Sequence, residues 1–221
     1  MALIFRKTLA HEPVIKYLGE ALARELSAGK RVLWLIPGGS AIAVAVAVSN
    51  QLTAKNIPLD KLVVTLTDER FVPVGHDDSN WKQLTDAGFD LPGATLHAVL
   101  RGKDMTGTVD DFETTLQQEL NQAEYSLGLF GIGSDGHIAG ILPHTSAVKE
   151  TGLAHGYDGG AYQRVTITIP AMFKLDEVIA YAAGEAKWPI FDQLETDLPL
   201  DDQPAQILKQ VLKATLFNDY K

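Results

Sequence analysis

Residues 125–143, Tyr-Ser-Leu-Gly-Leu-Phe-Gly-Ile-Gly-Ser-Asp-Gly-His-Ile-Ala-Gly-Ile-Leu-Pro, decide how the rest of the chain is read. The apolar run Leu127 to Phe130 breaks into a turn with glycines at 131, 133 and 136, and that turn delivers Asp135 and His137 side by side. A buried strand, then permissive backbone, then ionisable groups is how open α/β sheets present ligand sites at their carboxyl ends.

The same unit recurs on either side. Upstream, Val14, Leu18, Leu22 and Leu26 have helical spacing within His11 to Ala28, with Gly29 as a stop signal. Arg31 to Ile36 is a strand broken by Pro37-Gly38-Gly39-Ser40, and the Ala/Val-rich Ala41 to Leu52 is a buried helix. Leu62 to Leu66 is a strand ending in the loop residues Thr67-Asp68-Glu69-Arg70, and a polar loop, His76 to Asn80, leads into a short helix. Thr95 to Val99 reads as a strand and Val109 to Ala123 as a helix of about four turns. Downstream, Gly152 to Gly160 reads as a glycine-rich surface excursion, and Arg164 to Ile169 and Val178 to Ala183 as strands. Gly184 then opens a helix carrying Lys187, Ala205 to Leu212 is helical, and Ala214 to Phe217 is a last strand. Strands and helices alternate without a linker or repeat. Residues 1–221 are therefore expected to form one domain, a three-layer α/β/α sandwich with a mostly parallel, Rossmann-like sheet.

Composition narrows the function. With 46% hydrophobic residues the chain can bury a substantial core, and the absence of cysteine removes disulfides, thiolate catalysis and cysteine-based zinc sites. No apolar run reaches membrane-span length, and Arg6, Lys7 and Glu12 stand where a signal peptide would need its apolar stretch, so a cytoplasmic location without membrane association is expected. A net charge of -9 argues against nucleic acid as a partner. A few cations gathered in a cleft can still hold a small anion, because exposed charges elsewhere are screened within about 8–10 Å.

Three loops fit such a site. Gly38-Gly39-Ser40 lies between strand and helix, where free backbone N–H groups favour an anion such as a sugar phosphate. In Asp68-Glu69-Arg70, Arg70 can grip a phosphate or polarise a carbonyl, and Asp68 can orient water or a neighbouring base. Gly131 to Gly136 formally matches the dinucleotide fingerprint, but an Asp inside the turn would face the pyrophosphate, and the ribose-binding acid expected about twenty residues later would fall in a glycine-rich loop with no strand before it. Ser134 is no nucleophile elbow, since Ile132 occupies the first glycine position. His137 is the best general acid or base, with Asp135 near enough in sequence to orient it. No histidine pair has metal-ligand spacing.

Taken in order, Gly38-Gly39-Ser40, Asp68-Glu69-Arg70 with Ser79-Asn80, Gly131 to Pro143, Arg164-Val165-Thr166 and Gly184 to Lys187 resemble the successive motifs of the 6-phosphogluconolactonase family. That family shares a superfamily with glucosamine-6-phosphate deaminases, which typically carry Asp-Glu-Tyr at the second motif and Asn-Glu-Pro where this chain has Ile141-Leu142-Pro143. Both departures favour the lactonase, Leu142 most of all, because it removes the carboxylate that deaminases pair with their histidine. Ala41-Ile42 in place of Thr-Pro and Gly140 in place of Ser depart from the usual lactonase.

The resemblance implies hydrolysis of 6-phosphoglucono-1,5-lactone in the pentose phosphate pathway with neither metal nor cofactor. Its implied catalytic residues are His137, Asp135, Asp68 and Arg70. Gly38, Gly39, Ser40, Arg70, Asn80, Arg164 and Lys187 would hold the sugar phosphate. The alternatives are a glucosamine-6-phosphate deaminase or isomerase and a non-catalytic sugar-phosphate sensor. Oligomeric state is not legible.

Overall fold

The computed structural model describes residues 3–221. A seven-stranded sheet forms its middle layer, built from β1 (Ile4–Lys7), β2 (Val32–Ile36), β3 (Leu62–Leu66), β5 (Thr95–His97), β6 (Tyr125–Phe130), β9 (Glu177–Ala182) and β10 (Ala214–Asn218). Their order is β1-β10-β9-β6-β2-β3-β5, and every neighbouring pair is parallel. β2, β3, β9 and β10 are buried along their whole length, as strands covered on both faces must be.

The helices are α1 (Glu12–Ser27), α2 (Ile42–Ala54), α3 (Asn80–Asp86), α4 (Met105–Gln122), α5 (Ile169–Met172) and α6 (Trp188–Gln193). Parallel crossovers are right-handed, so the direction of each step along the sheet sets the face its helix covers. The steps β1 to β2, β2 to β3 and β3 to β5 run one way and place α1, α2 and α3 on one face. The steps β5 to β6, β6 to β9 and β9 to β10 run the other way and place α4, α5 and α6 opposite. Trp34, Phe130, Phe191 and Phe217 are the largest side chains fully buried in the core. Among the described residues no helix is long and apolar enough to cross a membrane.

This order fixes where a ligand can sit. From β2 the chain moves towards β3, and from its neighbour β6 it moves away towards β9, so the order reverses between β2 and β6. The crevice beyond the carboxyl ends of these two strands is the switch point at which open α/β sheets hold ligands.

The α/β/α architecture is as expected, with local corrections. Asp68–Arg70 is a short strand, β4, rather than a loop, and it pairs antiparallel with β8 (Gln163–Ile167). The expected surface excursion at 152–160 contains β7 (Ala154–Asp158), the third strand of this small antiparallel sheet. Gly156 hid the alternation; it is needed because a Cβ there would lie 2.6 Å from Met105 Sδ and Val109 Cγ2 on α4, which packs on the strand. Lys187 ends a 3₁₀ turn, Glu185–Lys187, ahead of α6, whose Pro189 is tolerated only in a first turn. Residues 204–209 likewise form a 3₁₀ segment instead of an α-helix. β1 was not anticipated, being four residues with both charge and exposure.

Candidate active site

A cleft of about 280 Å³ opens at the switch point. Gly38, Gly39 and Ser40 form one wall after β2, and Gly131, Gly133 and His137 the wall after β6. Asp68, Arg70, Asn80, Arg164 and Lys187 complete the lining. Of the residues expected from sequence, Asp135 alone does not line the cleft; it stands behind His137.

The loop after β6 makes no helix, so the dinucleotide resemblance has no helix N-terminus behind it. Instead the chain doubles back. Ile132 bridges Ile138, Ile138 bridges Ile141, and Gly133 N–H donates to the His137 carbonyl at 3.0 Å. This fold-back brings the two side chains against residue 133, where an added Cβ would lie 2.2 Å from the imidazole and 2.5 Å from Asp135 Oδ1. His137 Nδ1 lies 2.6 Å from Asp135 Oδ1, which also accepts the His137 backbone N–H at 3.1 Å. An imidazole whose Nδ1–H is committed to a carboxylate keeps the lone pair on Nε2. The hydrogen bond from His137 holds the Asp135 carboxyl down at about 2, so it is ionised throughout the neutral range. Ala139, also in the lining, is held at φ 52°, a left-handed conformation unusual for a residue with a side chain.

The same loop is tied to the small sheet. Gly140 N–H donates to Thr166 Oγ1 at 3.0 Å, and Tyr157 Oη donates to the Gly140 carbonyl. An added Cβ at 140 would come within 2.8 Å of Thr166 and 3.0 Å of Asp68, so the departure from serine allows this close approach.

Opposite the dyad, β4 alternates its three side chains. Asp68 and Arg70 reach the cleft while Glu69 turns inward, as the two-residue period of a strand requires. Burial pushes the Asp68 carboxyl above its ordinary range, against the attraction of Arg164, whose Nη1 is 3.6 Å from Oδ2. A carboxyl with a raised folded pKa favours its protonated form; that contribution is complete below the unfolded pKa and is lost as pH rises through the folded value. At neutral pH the charge therefore costs stability. Asp68→Asn is expected to reduce the difference in unfolding free energy between acid and neutral pH, because the titrating carboxyl is gone. Urea unfolding of both proteins at the two pH values measures it.

Three cations face the cleft. Arg70 stacks on Tyr162 at 4.6 Å and donates to the Asp78 carbonyl at 3.3 Å. Arg164 has a buried Nε with no acceptor among the described residues. Lys187 makes no side-chain hydrogen bond or ion pair among the described residues, and burial pushes its ammonium below the usual lysine range. Unpaired donors at partly buried positions are what an anionic ligand would satisfy. Gly39 at φ 65° turns the first loop, and Gly38 lets it lie against Asn80, whose Cγ would be 2.3 Å from a Cβ. Asn80 in turn donates to the Asp68 carbonyl at 3.0 Å.

Glu69 is the residue that sequence reading passed over. It is fully buried and accepts hydrogen bonds from Arg70 N–H at 2.8 Å, Asn80 N–H at 2.6 Å, Trp81 N–H at 3.0 Å and Ser79 Oγ at 3.0 Å. It locks the start of α3 to β4 and so places Asn80 and Arg70. A charged residue followed about ten positions later by Ser-Asn at a helix start was the available signal. No three His, Asp or Glu side chains among the described residues converge as a metal ligand set.

Fold and site together define an α/β protein with a cation-lined cleft and an Asp–His dyad at the sheet's switch point. The chain belongs to the glucosamine-6-phosphate isomerases/6-phosphogluconolactonase family, whose model matches residues 6–217. Its sequence is 28% identical over 194 residues to the 6-phosphogluconolactonase of Mycobacterium tuberculosis, covering 80% of this chain and 76% of that protein. It is 22% identical over 209 residues to that of Thermotoga maritima, covering 92% and 91%. The crystal structure of the Thermotoga maritima 6-phosphogluconolactonase superposes with a TM-score of 0.82 at 20% identity over 98% of each chain. A monomeric glucosamine-6-phosphate deaminase superposes with a TM-score of 0.81 at 17% identity, over 100% of this chain and 98% of that one. Proteins named for two reactions thus share the fold, and the choice between them rests on side chains.

Proposed function

We propose that this protein hydrolyses 6-phosphoglucono-1,5-lactone to 6-phosphogluconate. The observation that carries this reading is the Asp135–His137 dyad, 2.6 Å apart, facing a cleft with Arg70, Arg164 and Lys187. The sequence relatives described above are named 6-phosphogluconolactonases, and residue 142, a leucine outside the cleft lining, supplies no carboxylate to the histidine.

In this mechanism Nε2 of His137 takes a proton from the water that attacks the lactone carbonyl and returns it to the ring oxygen as the C–O bond breaks. Asp135 orients the ring and stabilises the imidazolium. Arg70, or N–H groups of the glycine loops, stabilises the developing oxyanion. Asp68 anchors Arg164 and orients water. The Gly38–Ser40 turn, Arg164 and Lys187 hold the phosphate, and Asn80 binds substrate beside them. Nothing in these steps calls for a cofactor or metal.

Purified protein supplied with 6-phosphogluconolactone should open the ring faster than the spontaneous rate and should release no ammonia from glucosamine 6-phosphate. Ammonia release without lactone opening would make the protein a deaminase. Sugar-phosphate binding with neither reaction would make it a sensor. Lys187→Ala should lower kcat/KM for the phosphorylated lactone about 10- to 100-fold, the worth of one charge-assisted hydrogen-bonding partner, while barely changing turnover of gluconolactone itself. An unchanged preference between the two lactones would remove Lys187 from the phosphate site.

A further inference from the structure

A second line of reactive groups stands outside the cleft, unused by the mechanism above. Ser146 is exposed at the start of the 3₁₀ turn Ser146–Lys149, and its Oγ lies 2.8 Å from Nε2 of His155 on β7. The other ring nitrogen, Nδ1, lies 2.9 Å from Glu150 Oε2. The second carboxylate oxygen, Oε1, accepts the backbone N–H groups of Thr151 at 2.7 Å and Gly152 at 3.0 Å. Those two bonds hold the Glu150 carboxyl below the usual carboxylate range, so it is charged at neutral pH. The imidazole is stacked on Tyr157, with ring centroids 5.7 Å apart and planes 19° from parallel.

Each group therefore has one defined task. Glu150 is fixed by backbone and commits Nδ1–H of His155, which leaves Nε2 as the acceptor for the Ser146 hydroxyl. Hydroxyl, imidazole and carboxylate connected in this sense are recognised as a nucleophilic relay by geometry and roles, whatever their order in the chain. A merely structural serine at a turn would direct its Oγ to a nearby backbone group.

We propose that Ser146 is an activated nucleophile, with His155 as its general base and Glu150 as the orienting carboxylate, and that it accepts acyl groups from small activated esters. Oγ attacks the ester carbonyl carbon while its proton passes to His155 Nε2. The bond to the leaving alcohol breaks as His155 returns that proton to the departing oxygen, leaving the acyl group on Ser146. Water deprotonated by the same nitrogen then attacks, the acyl–Oγ bond breaks, and Oγ recovers its proton. Exposure of Ser146 to open solvent suits a small ester and gives no grip on an extended chain.

The test is labelling of the full chain with a fluorophosphonate probe, with the adduct located by peptide mass spectrometry. A Ser146 adduct is expected, its rate of formation falling about 100-fold or more in His155→Gln and at least about tenfold in Glu150→Gln. His137→Ala should label as wild type does, which separates this site from lactone hydrolysis whether or not that reading holds. Ser146→Ala should lose the adduct with an unchanged melting temperature. Absence of a Ser146 adduct in the wild type overturns the proposal. So does a labelling rate insensitive to His155→Gln; if that variant melts early, a rate unchanged in Glu150→Gln overturns it equally.

Discussion

His137→Ala is expected to lower kcat for lactone hydrolysis by about 10²- to 10⁴-fold, the usual worth of a positioned general acid–base group, and to leave KM for the phosphorylated lactone within a few-fold of its value. The reason is a division of labour in the cleft. His137 Nε2 is the acceptor that the Asp135 hydrogen bond leaves free, whereas the cations Arg70, Arg164 and Lys187 come from other elements and stay in place when the ring is removed. An alanine also fits the fold-back, because the contacts that define it, Gly133 N–H to the residue 137 carbonyl and the Ile132–Ile138 bridge, are made by backbone. Stopped-flow measurement of early rates above spontaneous hydrolysis decides the matter. A variant with wild-type kcat would take the proton transfer away from His137, and a variant that had lost binding instead would place the ring among the substrate contacts.

Glu69→Ala should be among the most destabilising single changes in the chain, at about 3 kcal/mol. It leaves three backbone N–H groups and the Ser79 hydroxyl without the carboxylate they share, those of Ser79 and Asn80 in the buried interior. Burial holds the Glu69 carboxyl above its ordinary range, so removing it also relieves a desolvation cost. That relief offsets only part of the loss, because four donors lose their acceptor at once, two of them buried. For a domain of this size about 3 kcal/mol corresponds to a fall of about 6–12 °C in melting temperature. Glu69→Gln, which keeps one acceptor oxygen, should fall between wild type and alanine. In folded Glu69→Ala protein the start of α3 is released from β4, so KM should rise through Asn80 and Arg70 while the His137 dyad is untouched. Thermal melts and steady-state kinetics at low temperature separate the two effects; a melting temperature equal to wild type would show that Glu69 is not the fastening.

The legible part of the site was carried by residues whose chemistry is short-range. Asp135 and His137 are two positions apart, and a glycine turn after an apolar run is enough to set them beside each other. Gly38-Gly39-Ser40 and Asp68 to Arg70 each follow a strand, so their delivery to one edge followed from the parallel sheet. Glu69 was not legible in the same way. Its identity as a carboxylate said nothing about which of three adjacent charged residues turns inward, and that depends on β4 pairing with β8, more than ninety residues later. The strand at 154–158 was hidden for a similar reason, since Gly156 answers to the packing of α4 rather than to its neighbours in the chain.

By itself the sequence determined the alternation of buried strands and helices, hence a parallel α/β/α sheet, and the chemical inventory of its loops: one oriented histidine, three cations, glycines at the turns, and a leucine at 142. These follow from hydrophobic period, turn chemistry and side-chain type, which are properties of neighbouring residues. Only the tertiary structure decided that the order reverses between β2 and β6, because strand order is a matter of which crossover lies on which face. It alone set Arg164 and Lys187 across from a dyad some thirty and fifty residues earlier, and it buried Asp68 and Glu69 deeply enough to change their carboxyls. Burial and long-range pairing are sums over the whole packed chain, and no local stretch contains them.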